Sequence, residues 1–248
     1  MFREVKKKMV VLNGRGPFSP AVLEAFGRLS LEDFVYTNMR LEGRELTRDD
    51  VVSILDGNVK KDITIEEHMM IRRFCSLKEE MTGMIEMQTS LNLRSLRRLY
   101  AAIAGIPEEE VRYRASNVYL SGISYSMPAF SDVPDQMEIL EDELMRPDQE
   151  HNELFNAAMM HCRILEIFPF EKYNGILART VLYYCMMRAG YPIFAFNFSK
   201  AEYEAAVARY LRDENIDEFY GGLERSLCNK MEQLLELTER KTSKDAED

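Results

Sequence analysis

From Ala157 to Pro192 the chain reads AAMMHCRILEIFPFEKYNGILARTVLYYCMMRAGYP. Taken cold, this is a buried helix ending near Ile167, a proline-containing loop at Phe168-Pro169-Phe170, and a second helix that opens at Asn174-Gly175. Gly190 and Pro192 then mark the end of a buried helix and not a membrane span, because Gly followed by Pro is a stop signal. A helix that starts after a loop offers free backbone N–H groups and a positive dipole end, which suits a phosphate. Every helix has such an end, so this feature alone identifies nothing.

Outward from that stretch the pattern stays helical. Ser30-Leu31-Glu32-Asp33 predicts a helix start with acids in its first turn, and Gly43 its stop. Thr47 with Asp50 predicts a capped helix through Leu55, and apolar spacing predicts helices over 65–87 and 90–104. Further helices are expected over 134–145, 150–167, 174–189, 200–211 and 217–239. One segment breaks the rule: Val118-Tyr119-Leu120 and Ile123-Ser124-Tyr125-Ser126 flank Ser121-Gly122 and predict a short β-hairpin. The fold class is therefore all-α with a small hairpin. One helical domain is expected over 30–239, with an N-terminal segment 1–29 and a mobile tail 240–248.

Composition excludes several classes. With 248 residues the chain needs no disulfide or metal staple for its core. Lys plus Arg is 32 and Asp plus Glu is 42, a net charge of −10, which argues against a nucleic-acid-binding surface. No stretch predicts a membrane span, and the apolar run Met9 to Leu12 is too short for a secretory leader. Cys75, Cys162, Cys185 and Cys228 are scattered without metal-ligand spacing and read as free thiols, which places the protein in the cytoplasm.

The order of residues in the central stretch resembles the Fic (Fido) family, whose loop reads HPFx[DE]GNGRxxR. The resemblance extends beyond the loop. Arg112-Tyr113-Arg114-Ala115-Ser116-Asn117-Val118 is similar to the family's YRxxNV segment, and Met127-Pro128 to the end of the hairpin "flap" that follows it. Arg188-Ala189-Gly190-Tyr191-Pro192 matches the close of the family's post-motif helix. Asn38-Met39-Arg40-Leu41-Glu42-Gly43 resembles the [ST]xxxE[GN] inhibitory helix, with Asn38 in place of Ser or Thr. The resemblance implies a Fic-like helical domain with an inhibitory-type helix at 30–43, a flap at 117–131 (Val118, Tyr119, Leu120 and Met127 among its residues) and a motif loop at 168–179.

Family enzymes move AMP, or another phosphate-containing group, from a nucleotide to a target hydroxyl. The resemblance assigns each motif position a task. At the general-base position stands Phe168, which has no lone pair to accept a proton. At the Mg²⁺-anchoring carboxylate stands Lys172, a charge of the wrong sign. Tyr173 replaces a glycine that lets backbone approach phosphate, and Ile176 replaces an arginine clamp. Pro169, Phe170, Asn174, Gly175 and Arg179 are retained. Glu171 lies one place before the metal position and needs a loop rearrangement to reach the same ion. His161, seven residues before Phe168, reads as a core histidine. His68 and His151 have no supporting pattern. Glu42 and Arg179 are both present, so the family's inhibitory ion pair is expected.

Two functions follow from the resemblance. The first is a degenerate Fic domain without adenylyltransferase activity by the family mechanism, acting as a binding or regulatory module whose flap takes an extended protein segment. The second is a divergent nucleotide-dependent transferase that modifies a protein hydroxyl. It would hold ATP or another phosphate ligand with Asn174, Gly175, Lys172 and Arg179, and without a Mg²⁺ anchor. No heptad seam predicts a homo-oligomer, although a family oligomer interface stays open.

Overall fold

Side-chain caps set many of the helix starts in this chain. Thr47 with Asp50, Thr64 with Glu67, Asn92 with Ser95 and Ser199 with Glu202 each form a reciprocal capping box that satisfies two otherwise orphaned backbone N–H groups. The computed structural model describes residues 2–60, 63–119 and 125–244. Within them run α1 (Phe2–Gly14), α2 (Pro20–Leu41), α3 (Arg48–Leu55), α4 (Ile65–Glu86), α5 (Leu93–Ala104), α6 (Val133–Met145), α7 (Glu153–Ile167), α8 (Asn174–Arg188), α9 (Lys200–Asp213) and α10 (Asp217–Lys244). Two 3₁₀ turns lie at Glu108–Glu110 and Phe130–Asp132. The all-α expectation holds, and no described helix is long and apolar enough to cross a membrane.

Several boundaries differ from the sequence reading, for physical reasons. The helix expected to start at Ser30 starts at Pro20, where Ser19 accepts the Val22 N–H and Pro20 takes the first helical position. The acids taken for a first turn are mid-helix: Glu32 pairs with Arg28 one turn earlier, and Asp33 is a buried ion-pair partner of Arg48 and Lys230. The N-terminal segment is not separate either, since α1 buries Phe2, Val5 and Leu12 and packs against α10. At the other end α10 continues to Lys244, so residues 240–244 of the expected tail are helical; residues 245–248 lie outside the described ones. The expected hairpin centres on residues 120–124, which also lie outside the described residues, and no strand is found among the described residues beside them. Arg97 is half-buried and donates to the Glu108 and Val111 carbonyls.

The centre of the molecule is α8. Ile176, Leu177, Ala178, Val181, Leu182, Tyr183, Tyr184 and Met186 are all buried, so the helix is covered on every side, as an apolar helix without a polar face must be. It packs most extensively on α7 and also on α4 and α5. The Phe34 and Tyr183 rings meet edge to face at 5.6 Å and bring α2 against it. The extended stretch after α8 buries Phe194 and Phe196 beside α10. This frame fixes both ends of the Phe168–Tyr173 loop and holds the end of α2 above the first turn of α8.

Candidate functional site

The loop from Phe168 to Tyr173 joins two left-handed residues. Phe168 (φ 50°) terminates α7 and Tyr173 (φ 63°) precedes α8, a conformation that costs an L-residue roughly 1–2 kcal/mol. Tyr173 thus takes a backbone conformation that glycine adopts without strain. Asn174 closes the loop: its Oδ1 accepts from Phe170 N at 2.9 Å and its Nδ2 donates to Phe170 O at 2.7 Å. Phe170 is buried and stacks on Tyr100 with ring centroids 3.7 Å apart. Phe168 is half-buried and packs on the core.

Gly43 (φ 81°) stops α2 immediately after Glu42, which leaves that carboxylate at the helix end facing α8. Arg179 Nη2 donates to Glu42 Oε1 at 2.5 Å, and the expected ion pair is present. The other arms of the guanidinium are also engaged. Nε donates to Asn38 Oδ1 at 2.8 Å, and Nη1 reaches the Tyr203 hydroxyl at 3.5 Å. Asn38 in turn donates to Phe34 O at 2.9 Å, so its amide orientation is set by the α2 backbone. Burial pulls the Arg179 guanidinium down, but Tyr203 and Glu42 outweigh it and its pKa is raised on balance. A Cβ added at Gly175 would lie 3.2 Å from Arg179 Nη1, so the glycine leaves room for this arrangement.

His161 belongs to the same buried chain of contacts and not to the loop surface. Its Nε2 lies 2.8 Å from the Tyr203 hydroxyl, and its ring stacks on Phe219. Burial, with Arg179 adding to it, drives the His161 pKa well below its ordinary value, so the imidazole is neutral. Burial also pushes the Tyr203 hydroxyl up to about 12.

The remaining sequence-derived residues do not converge on one pocket. Lys172 is exposed and makes no hydrogen bond or ion pair among the described residues. Glu171 is exposed, but its Oε1 accepts from Ala115 N at 3.0 Å. Ile176 is buried in the core. The donor set at the family's metal position is thus one ammonium and one carboxylate already committed to a backbone amide, and it does not fit Mg²⁺. Of the flap residues, Tyr119 is exposed, Val118 half-buried and Met127 buried, while Leu120 lies outside the described residues. A hollow of about 200 Å³ beside the loop is lined by Tyr173, Met69, Met70, Glu66 and Arg73.

Two participants escaped the sequence reading. Tyr203, on α9, carries no local signal, since only the packing of α9 brings it to Arg179. Arg114 was visible as part of the YR segment, but its partners were not. Buried at 2% exposure, it donates from Nε to Phe168 O at 2.9 Å, from Nη1 to Ser116 O at 2.9 Å and from Nη2 to Pro128 O at 2.5 Å.

This helical architecture, a loop between two central helices with a third helix end set over it, is that of the Fic fold. A Fic-domain-containing signaling protein from Bacteroides thetaiotaomicron VPI-5482 superposes with a TM-score of 0.80 at 19% identity, covering 95% of this chain and 98% of that one. A segment of Fic-1 from C. elegans gives a TM-score of 0.80 at 18% identity, covering 96% of this chain and 73% of that one. The Fic/DOC family model matches residues 90–186. The protein adenylyltransferase Fic of Nematostella vectensis is 27% identical over 185 residues, 72% of this chain and 42% of that protein. The chain is thereby related to AMP-transferring enzymes, and its matches span about a third to two fifths of the curated relatives' length.

Proposed function

We propose that this chain is a Fic domain that no longer transfers AMP by the family's mechanism and that acts as a binding or regulatory module. The observation that carries the reading is Phe168, a phenyl ring packed on the core at the family's general-base position. A phenyl group accepts no proton, so an attacking hydroxyl has no base there. His161 offers no substitute, being fully buried and hydrogen-bonded to Tyr203. The Arg179 guanidinium is held by Asn38, Tyr203 and Glu42, three partners inside the protein. For the module's partner, exposed Tyr119 at the flap supports an extended protein segment, bound through main-chain hydrogen bonds as edges bind.

One observation favours a second reading, a phosphate-bearing ligand held without a metal. Tyr173 retains the left-handed backbone of the family's glycine, and exposed Lys172 stands next to it. Calorimetry with ATP, ADP and AMP separates the two. The module reading expects no heat with any of them from wild type. Binding that Arg179→Ala and Lys172→Ala both weaken by tenfold or more would replace it with the second reading.

A further inference from the structure

Both limbs of the flap are tied to the turn that carries Phe168, and one side chain makes most of the ties. Arg114 joins three backbone carbonyls at once: Phe168 O in the turn, Ser116 O on the entering limb and Pro128 O on the returning limb. Its own N–H donates to Pro169 O at 2.9 Å, and the next amide, Ala115 N, donates to Glu171 Oε1 at 3.0 Å. Across the flap's base, Asn117 Oδ1 accepts from Phe130 N at 2.9 Å. Within the turn, then, Phe168, Pro169 and Glu171 all receive bonds from Arg114 and Ala115.

A planar guanidinium donates in several fixed directions, whereas an ammonium is a point charge on a flexible stem. Burial pulls the Arg114 pKa down, with Glu171 opposing, and its carbonyl partners carry no charge to offset the desolvation. Substitution by a residue without this fork therefore strands carbonyls that Arg114 now satisfies.

We propose that Arg114 is a positioning residue that makes the two flap limbs and the Phe168 turn one hydrogen-bonded unit, presenting the flap at a fixed place beside the turn to an extended protein segment. The presentation rests on the partner-binding reading above; the mechanical unit does not.

The test is amide hydrogen exchange on the full chain at two amides that Arg114 does not itself bond, Ala115 on the entering limb and Phe130 after the returning one. Arg114→Lys retains the charge and most of the stem but not the fork. It is expected to speed exchange at both amides tenfold or more while amides within α5 and α8 keep their wild-type protection. Unchanged protection at Ala115 and Phe130, or equal loss throughout the helices, overturns the proposal. If that variant does not fold, Asn117→Ala carries the test: it removes the acceptor of Phe130, and the unit requires Ala115, on the opposite limb, to open at least threefold. An Ala115 amide that stays at its wild-type rate shows independent limbs and contradicts the proposal. Neither measurement needs a partner, so failure to find one through Tyr119→Ala pull-downs would count against the module reading alone.

Discussion

Arg179 and Glu42 form an ion pair at 2.5 Å in which the burial is unequal: the guanidinium side chain is 1% exposed and the carboxylate 31%. The asymmetry decides what each substitution does. Removing the arginine leaves a carboxylate that water can reach. Removing the carboxylate leaves a buried cation that still has Asn38 and Tyr203 as acceptors. Glu42→Ala should cost about 2 kcal/mol, the range for a hydrogen bond to a charged group and below the cost of breaking a wholly buried pair. The check is urea denaturation. A companion Asn38→Ala should cost a similar amount, and the double variant should exceed the sum of the two, because the cation then has Tyr203 alone.

Tyr173 supplies an inversion of the usual residue order. Its φ of 63° suits glycine and strains any residue with a Cβ. Both Tyr173→Gly and Tyr173→Ala lose the ring that faces Met69, Met70 and Arg73 in the hollow. Only the glycine variant also relieves the backbone. Tyr173→Gly should be about 1 kcal/mol more stable than Tyr173→Ala, measured as the difference in denaturation midpoints at equal slope. Equal stabilities would mean the turn relaxes out of the left-handed region.

Adjacent glycines in α10 should behave in opposite ways. A Cβ at Gly222 would lie 2.7 Å from a Phe198 ring carbon, whereas one at Gly221 meets only the Arg225 guanidinium, at 3.5 Å. Gly222→Ala should destabilise by about 1–3 kcal/mol through overpacking against the half-buried Phe198 ring. Gly221→Ala should stabilise by about 0.5–1 kcal/mol, the helix-propensity difference. Thermal melts of the two variants check both signs.

His161 predicts an acid-sensitive fold. Its folded-state pKa lies well below the ordinary 6.5, so the unfolded chain takes up a proton that the folded chain refuses. The stabilisation is fully present above pH 6.5 and is lost as pH falls below it, at up to about 1.4 kcal/mol per pH unit. Groups facing the ring are Tyr203 and Cys162, with the cation of Arg179 nearby. Stability measured at pH 7.0, 6.0 and 5.0 should fall for wild type and fall less for His161→Gln. Parallel curves would mean the imidazole is not the group responsible.

Much of this was legible before any coordinates. The capping pair Thr47/Asp50 and the stop at Gly43 are local signals, and local signals place helix ends. The Glu42–Arg179 pair was legible through the motif, although its residues stand 137 apart in the chain. The early start of α2 was not, because Glu32 and Asp33 look the same in a first turn as in a mid-helix pairing with Arg28 and Lys230. Tyr203 and the partners of Arg114 were invisible for a related reason. Carbonyl acceptors are not residue-specific, and a hydroxyl brought in by a distant helix leaves no spacing to read.

The central claim is chemical and can be tested on the chemistry itself. Glu42→Gly, which removes the carboxylate over the loop, is incubated with Mg²⁺ and isotope-labelled ATP, and intact-mass spectrometry and label counting follow AMP on the chain and on added protein targets. The account predicts no incorporation above that of a heat-denatured control, since Phe168 still accepts no proton. Stoichiometric AMP transfer that is lost on Arg179→Ala would contradict it.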